Sequence, residues 1–102
     1  MKVGSSVGMI TKRNIDGVEQ WALIEDKVKQ ISELKSGKRI YTKSRFRPLD
    51  YDDVCNNTEI MENKDFVIVR EVFELTPKVR KRATEWIVWA NDNPDRVKSI
   101  LD

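Results

Sequence analysis

The fold turns on Val7–Ile24, which reads VGMITKRNIDGVEQWALI. At its centre, Asn14-Ile15-Asp16-Gly17 supplies Asn and Asp to start a turn and a glycine that accepts a positive φ. The runs on either side, Val7 to Arg13 and Val18 to Ile24, have strand character, so a hairpin is expected. A helical reading competes over residues 17 to 35. Asp16 and Glu19 fit a capping box, Val18, Trp21, Val28 and Ile31 fall near helical spacing, and Gly37 stands where a helix would close. The Asp-Gly turn after a strand-like run favours strands. It implies a second reversal at Glu25-Asp26-Lys27, a strand from Val28 to Leu34, and a third turn at Ser36-Gly37.

Beyond that turn, Arg39 to Arg47 reads as a further strand. Alternation of side chains would gather Arg39, Tyr41, Lys43, Arg45 and Arg47 on one face, opposite Ile40, Thr42, Ser44 and Phe46. Pro48 ends it. Residues 49 to 64 are polar and acidic and read as the longest irregular segment. Phe66 to Leu75 carries apolar residues on both parities, which predicts a central strand covered on both sides.

Thr76 then caps a helix whose first position is Pro77, where a missing N–H costs nothing. Val79, Ala83, Trp86, Ile87 and Ala90 form its core stripe. Asn91 to Asn93 break it, and Pro94 opens a short last turn carrying Val97, Ile100 and Leu101. The predicted class is α+β, one domain over residues 1–102. An N-terminal antiparallel sheet, a meander of hairpins, is packed by one C-terminal amphipathic helix and a short terminal helix.

Composition narrows the function. The chain has no histidine and a single cysteine, Cys55. Ser-His-Asp and Cys-His catalysis are therefore excluded, as are the usual zinc and iron ligand sets and any intrachain disulfide. Asp50 and Asp52 share a strand parity that could hold a hard cation, but no glycine-bearing calcium loop accompanies them. Neither an enzyme, a cofactor nor a metal is expected. No apolar run reaches membrane length, so a cytoplasmic protein is expected.

The net charge of +2 is small, but its distribution is uneven. From Lys27 to Arg47 eight basic residues face Glu33 alone, and from Asp50 to Asp65 six acids face Lys64 alone. Neighbouring loops of opposite sign can simply complement each other. Lys78, Arg80, Lys81 and Arg82 crowd the start of the C-terminal helix, where the macrodipole is already positive. Free N–H groups, dipole and cations together favour an anion there. The expected ligand is a phosphate-bearing nucleotide held by Arg45, Arg47, Arg80 and Arg82, with Trp89 or Tyr41 stacking on it. Trp21 reads as a core anchor. Val88 lies opposite the helix stripe and Trp89 at its margin, so a second copy covering both would make a homo-oligomer.

The segment Arg45-Phe46-Arg47-Pro48-Leu49-Asp50-Tyr51-Asp52-Asp53-Val54, followed by a strand and an amphipathic helix, resembles small bacteriophage and prophage proteins. The order of antiparallel sheet and C-terminal helices is similar to the phage anti-Thoeris sponges, which sequester a cyclic ADP-ribose signal. That resemblance implies a non-enzymatic, oligomeric ligand trap in the host cytoplasm. It assigns no residue a role; the site residues rest on charge and aromatic placement. Two other classes stay open. One is a protein-interaction inhibitor, such as an anti-CRISPR protein acting on a host defence protein, whose acidic run imitates nucleic acid. The other is a single-stranded nucleic-acid-binding module using the basic-aromatic strand.

Overall fold

The computed structural model describes residues 1–101. The hairpin forms as its turn dictates. Asp16 (φ 52°) and Gly17 (φ 82°) both take left-handed backbone, and the Gly17 N–H donates to Asn14 Oδ1 at 2.9 Å. This turn joins β1 (Ser6–Ile15) to β2 (Val18–Leu34), which pair antiparallel from Ile15↔Val18 to Ser6↔Lys27.

Residues 17 to 35 are neither helix nor two short strands: β2 runs unbroken for 17 residues. The expected reversal at Glu25–Lys27 is absent because the ladder with β1 continues through it. Beyond it β2 pairs instead with β3 (Gly37–Thr42), across a register shift between Val28 and Gln30. This bulge at Lys29 switches side-chain parity. Val28 and Ile31 therefore both join the inner apolar cluster, while Trp21 lies on the other face. That switch is what made Val18, Trp21, Val28 and Ile31 look helical.

The basic strand is shorter than expected and stops at Thr42. Lys43 N–H still reaches Lys27 C=O at 3.0 Å, but Ser44 N–H is taken by the Asp26 carboxylate at 3.2 Å, which pulls the chain off the ladder. Arg45 and Arg47 therefore lie in a loop and share no strand face with Arg39 and Tyr41.

After a two-residue strand β4 (Leu49–Asp50), the acidic segment forms α1 (Tyr51–Asn63) rather than an irregular loop. Asp50 caps it, accepting from Asp53 N–H at 3.1 Å, and Asp52 and Asp53 suit the positive helix start. Val54, Thr58 and Met61 recur at helical spacing and are buried. Phe66 to Leu75 is no central strand either. Only β5 (Phe73–Glu74) pairs, at the sheet edge, and Phe66 is exposed. Apolar groups on both parities there fill gaps between elements.

The C-terminal helices are as predicted. In α2 (Pro77–Asp92) Thr76 Oγ1 accepts from Val79 N–H at 3.2 Å, and α3 (Pro94–Leu101) follows. Val79, Ala83 and Ala90 are buried, with Trp86 and Ile87 packed beside them.

The strand order is β4-β3-β2-β1-β5, so the class is α+β with an antiparallel sheet. The sheet curls, and α1 touches β3, β4 and β5, bridging its two edges. Inside the curl Val7, Val28, Ile40, Val54 and Val72 form one cluster. On the outer face Ile10, Trp21, Phe73, Leu75 and the α2 stripe form a second. Gly8 permits the close approach between them, since a Cβ there would stand 2.8 Å from Leu75 Cδ1. No helix among the described residues is long and apolar enough to cross a membrane.

Candidate anion-binding cleft

Three cations from distant parts of the sequence converge on the outer face. Lys12 comes from β1, Arg70 from the segment before β5, and Lys98 from α3; together they line a cleft of about 580 Å³. The hairpin register places Lys12 directly across from Trp21, so its Nζ lies 5.5 Å from the indole centroid. The Arg70 guanidinium carbon lies 6.0 Å from the same ring.

Trp21 is held firmly. Its ring is only 5% exposed and meets Trp86 edge-on at 5.2 Å, with Trp89 tilted against Trp86 at 6.4 Å. Its backbone is fixed by the Asn91 side chain, which accepts from Trp21 N–H at 2.8 Å and donates to Trp21 C=O at 3.1 Å. Asn91 thus stands in for a neighbouring strand. The buried indole carries the two cations; it offers no free face for stacking.

Arg70 has the more unusual backbone. It is left-handed (φ 66°), a conformation that costs a side-chain-bearing residue roughly 1–2 kcal/mol. Its N–H donates to Ile10 C=O at 2.8 Å, which helps to hold that geometry. The three ion pairs among the described residues are Lys38–Glu33, Arg39–Asp50 and Arg80–Glu25, so Lys12, Arg70 and Lys98 have no carboxylate within 4.0 Å. Glu19 is the one acid on the cleft wall, and Val97, Pro94 and Leu101 give that wall an apolar side. The arrangement suits an anion carrying an apolar or aromatic part.

The residues expected to bind ligand are dispersed. Tyr41 stands on β3 beside Gln30 of β2. Arg45 Nη2 lies 3.5 Å from Met9 Sδ, on the inner face. Arg80 pairs with Glu25 on the outer face, because Glu25 sits opposite Gly8 and Met9 has the other parity. The sheet therefore separates Arg45 from Arg80. Arg47 is exposed in its loop. Arg82 donates to Met61 C=O and Lys64 C=O, capping the end of α1. Trp89 lines a separate apolar groove of about 370 Å³ with Phe66, Trp86 and Ile100.

Much of the basic run is engaged internally. Arg39 meets Asp50 at 3.1 Å, and Lys38 lies 4.9 Å over the Tyr51 ring. Burial alone would raise the Asp26 carboxyl. The Thr42 hydroxyl turned toward it and the Lys27 and Ser44 N–H groups outweigh burial and hold it below the usual carboxylate range.

Of the cleft cations, Lys12 was legible in advance. A two-residue turn at Asp16-Gly17 fixes the pairing of Lys12 with Trp21. Arg70 and Lys98 carry no such signal, since neither lies on an element paired locally with β2. Comparison of the chain with protein-family models, curated proteins and solved structures finds no match.

Proposed function

We propose that this protein is a non-catalytic binding protein that captures a phosphate-bearing nucleotide in the Trp21 cleft. Arg70 carries the reading. An arginine kept in a costly backbone conformation, over an indole, beside a second cation and with no carboxylate partner, supports a site preorganised for an anion. In this reading Lys12, Arg70 and Lys98 meet the phosphate, while Val97, Pro94 and Leu101 receive the base or sugar. Glu19 alone on the wall gives no acid–base pair, which supports capture rather than turnover. Sequestration of a signalling nucleotide is the role that the resemblance to phage anti-Thoeris sponges implies. The setting is a reducing cytoplasm, which suits the free thiol of Cys55.

A second reading, a protein-interaction inhibitor, is favoured by the apolar groove of Phe66, Trp86, Trp89 and Ile100. Calorimetric titration with mononucleotides, cyclic nucleotides and short oligonucleotides separates the two. Saturable binding that weakens in Arg70→Ala and Lys12→Ala is expected. Absence of heat with every nucleotide, and of any copurifying ligand, would sink the cleft reading and promote the groove.

A further inference from the structure

Every backbone polar group of β2 can be followed to a partner, except along one short reach. In the β1–β2 ladder, the N–H and C=O groups of alternate β2 residues (Trp21, Leu23, Glu25, Lys27) point away from β1. At Trp21 they meet the Asn91 amide. At Lys27 the C=O accepts from Lys43 N–H. Between these closures, Leu23 and Glu25 present two donors and two acceptors that have no partner among the described residues. Helix α2 walls this reach without closing it. Arg80, Thr84, Ile87 and Asn91 follow one face of the helix, and the two ends of that face grip Glu25 and Trp21. Thr84 between them remains exposed and Ile87 partly so.

We propose that a second copy of this chain adds to this reach, β2 against β2, antiparallel about a two-fold axis at Ile24. Trp21 and Lys27 lie at equal distances from Ile24, so the open reach is its own complement. In that register Leu23 pairs with Glu25 of the partner subunit, and Glu25 with Leu23 of the partner subunit, through four hydrogen bonds. Ile24 meets the partner's Ile24 on the inner face. The next outward positions would pair Trp21 with Lys27 of the partner subunit; both are already taken, which fixes the register and stops the ladder. Only an extended backbone supplies donors and acceptors at this spacing. A closed two-fold contact uses the edge once and leaves none for further growth. This interface lies apart from the Trp21 cleft and does not depend on what the cleft binds.

Sedimentation velocity over a rising concentration series tests the proposal with wild type, Glu25→Pro and Glu25→Gln. Proline removes only the outward-pointing N–H, while glutamine keeps the backbone and removes the carboxylate. Wild type and Glu25→Gln should form dimers, and Glu25→Pro should dissociate about tenfold more readily or worse, having lost one hydrogen bond from each copy. A wild type that stays monomeric at millimolar concentration overturns the interface, as does a folded Glu25→Pro that dimerises as tightly. Should Glu25→Pro fail to fold, amide exchange of the wild type decides. The Leu23 and Glu25 amides should slow as concentration rises, and concentration-independent exchange at both refutes the pairing.

Discussion

Two sets of cations in this molecule have opposite fates. The run from Lys38 to Arg47 is dense in sequence, yet it is largely absorbed: Arg39 by Asp50, Lys38 by Glu33 and Tyr51, Arg45 against Met9. Lys12, Arg70 and Lys98 are scattered along the chain, yet they meet in one cleft and make no ion pair among the described residues. Charges close in sequence to an opposite run tend to be neutralised by it, since local pairing requires little loop closure. Charges that converge from distant elements while unpaired must be held there by the fold, and that is where a ligand is more reasonably sought.

The sharpest way to break this contrast is to remove one cation from each set. Arg70→Ala should weaken nucleotide binding by roughly ten- to a hundred-fold, as expected for one charge-assisted contact. Arg39→Ala should leave it unchanged in the same calorimetric titration. Equal losses in both variants would show that the dense run, not the scattered trio, meets the ligand.

Next in size is the support of the cleft. Asn91→Ala leaves the Trp21 N–H and C=O without their partner, and should lower unfolding free energy in urea by about 1–2 kcal/mol. A backbone test then isolates Arg70. Arg70→Gly relieves the left-handed cost while losing the contact over the indole, so stability should stay within about 1 kcal/mol of wild type. Binding should fall as in Arg70→Ala. Full retention of affinity in Arg70→Gly would remove Arg70 from the site.

The absorbed set predicts smaller effects. Arg39→Ala should cost less than about 1 kcal/mol, because the Arg39–Asp50 pair is only partly shielded from water. Asp26 sets a pH dependence. Its folded carboxyl lies below the usual range, so the stability it contributes is complete above the unfolded value and is lost as pH falls through the folded one. An acid titration of stability should therefore be flatter below about pH 4 in Asp26→Asn than in wild type.

Where local geometry decides, the sequence was readable. Asn14 to Gly17 specified the hairpin, Thr76 and Pro77 specified α2, and Trp21 read correctly as a core anchor. Three misreadings share a cause, which is competition from tertiary contacts. Asp26 and Ser44 bond to each other across the structure, which ends the basic strand early and uses an aspartate that looked like a turn former. The acidic stretch after Pro48 looked irregular because its charges hid Val54, Thr58 and Met61 at helical spacing. Phe66 to Val72 has strand composition but fills space between elements, and only Phe73 and Glu74 find a ladder. The expected site failed in the same way. Arg82 looked like a phosphate ligand because its helix-capping carbonyls lie some twenty residues earlier in the chain.

The bulge at Lys29 also has an evolutionary side. Because it reverses which side chains face inward, β2 can present Trp21 and Leu23 to the outer cluster while placing Val28 and Ile31 in the inner one. Deleting Lys29 alone would turn Ile31 outward and Gln30 inward, a single codon inverting the whole second half of the strand. Losing Lys29 together with one neighbour would restore the alternation. Related chains should therefore differ in length here by even numbers of residues, so a lineage's insertions and deletions at this joint record whether both faces of the sheet were kept.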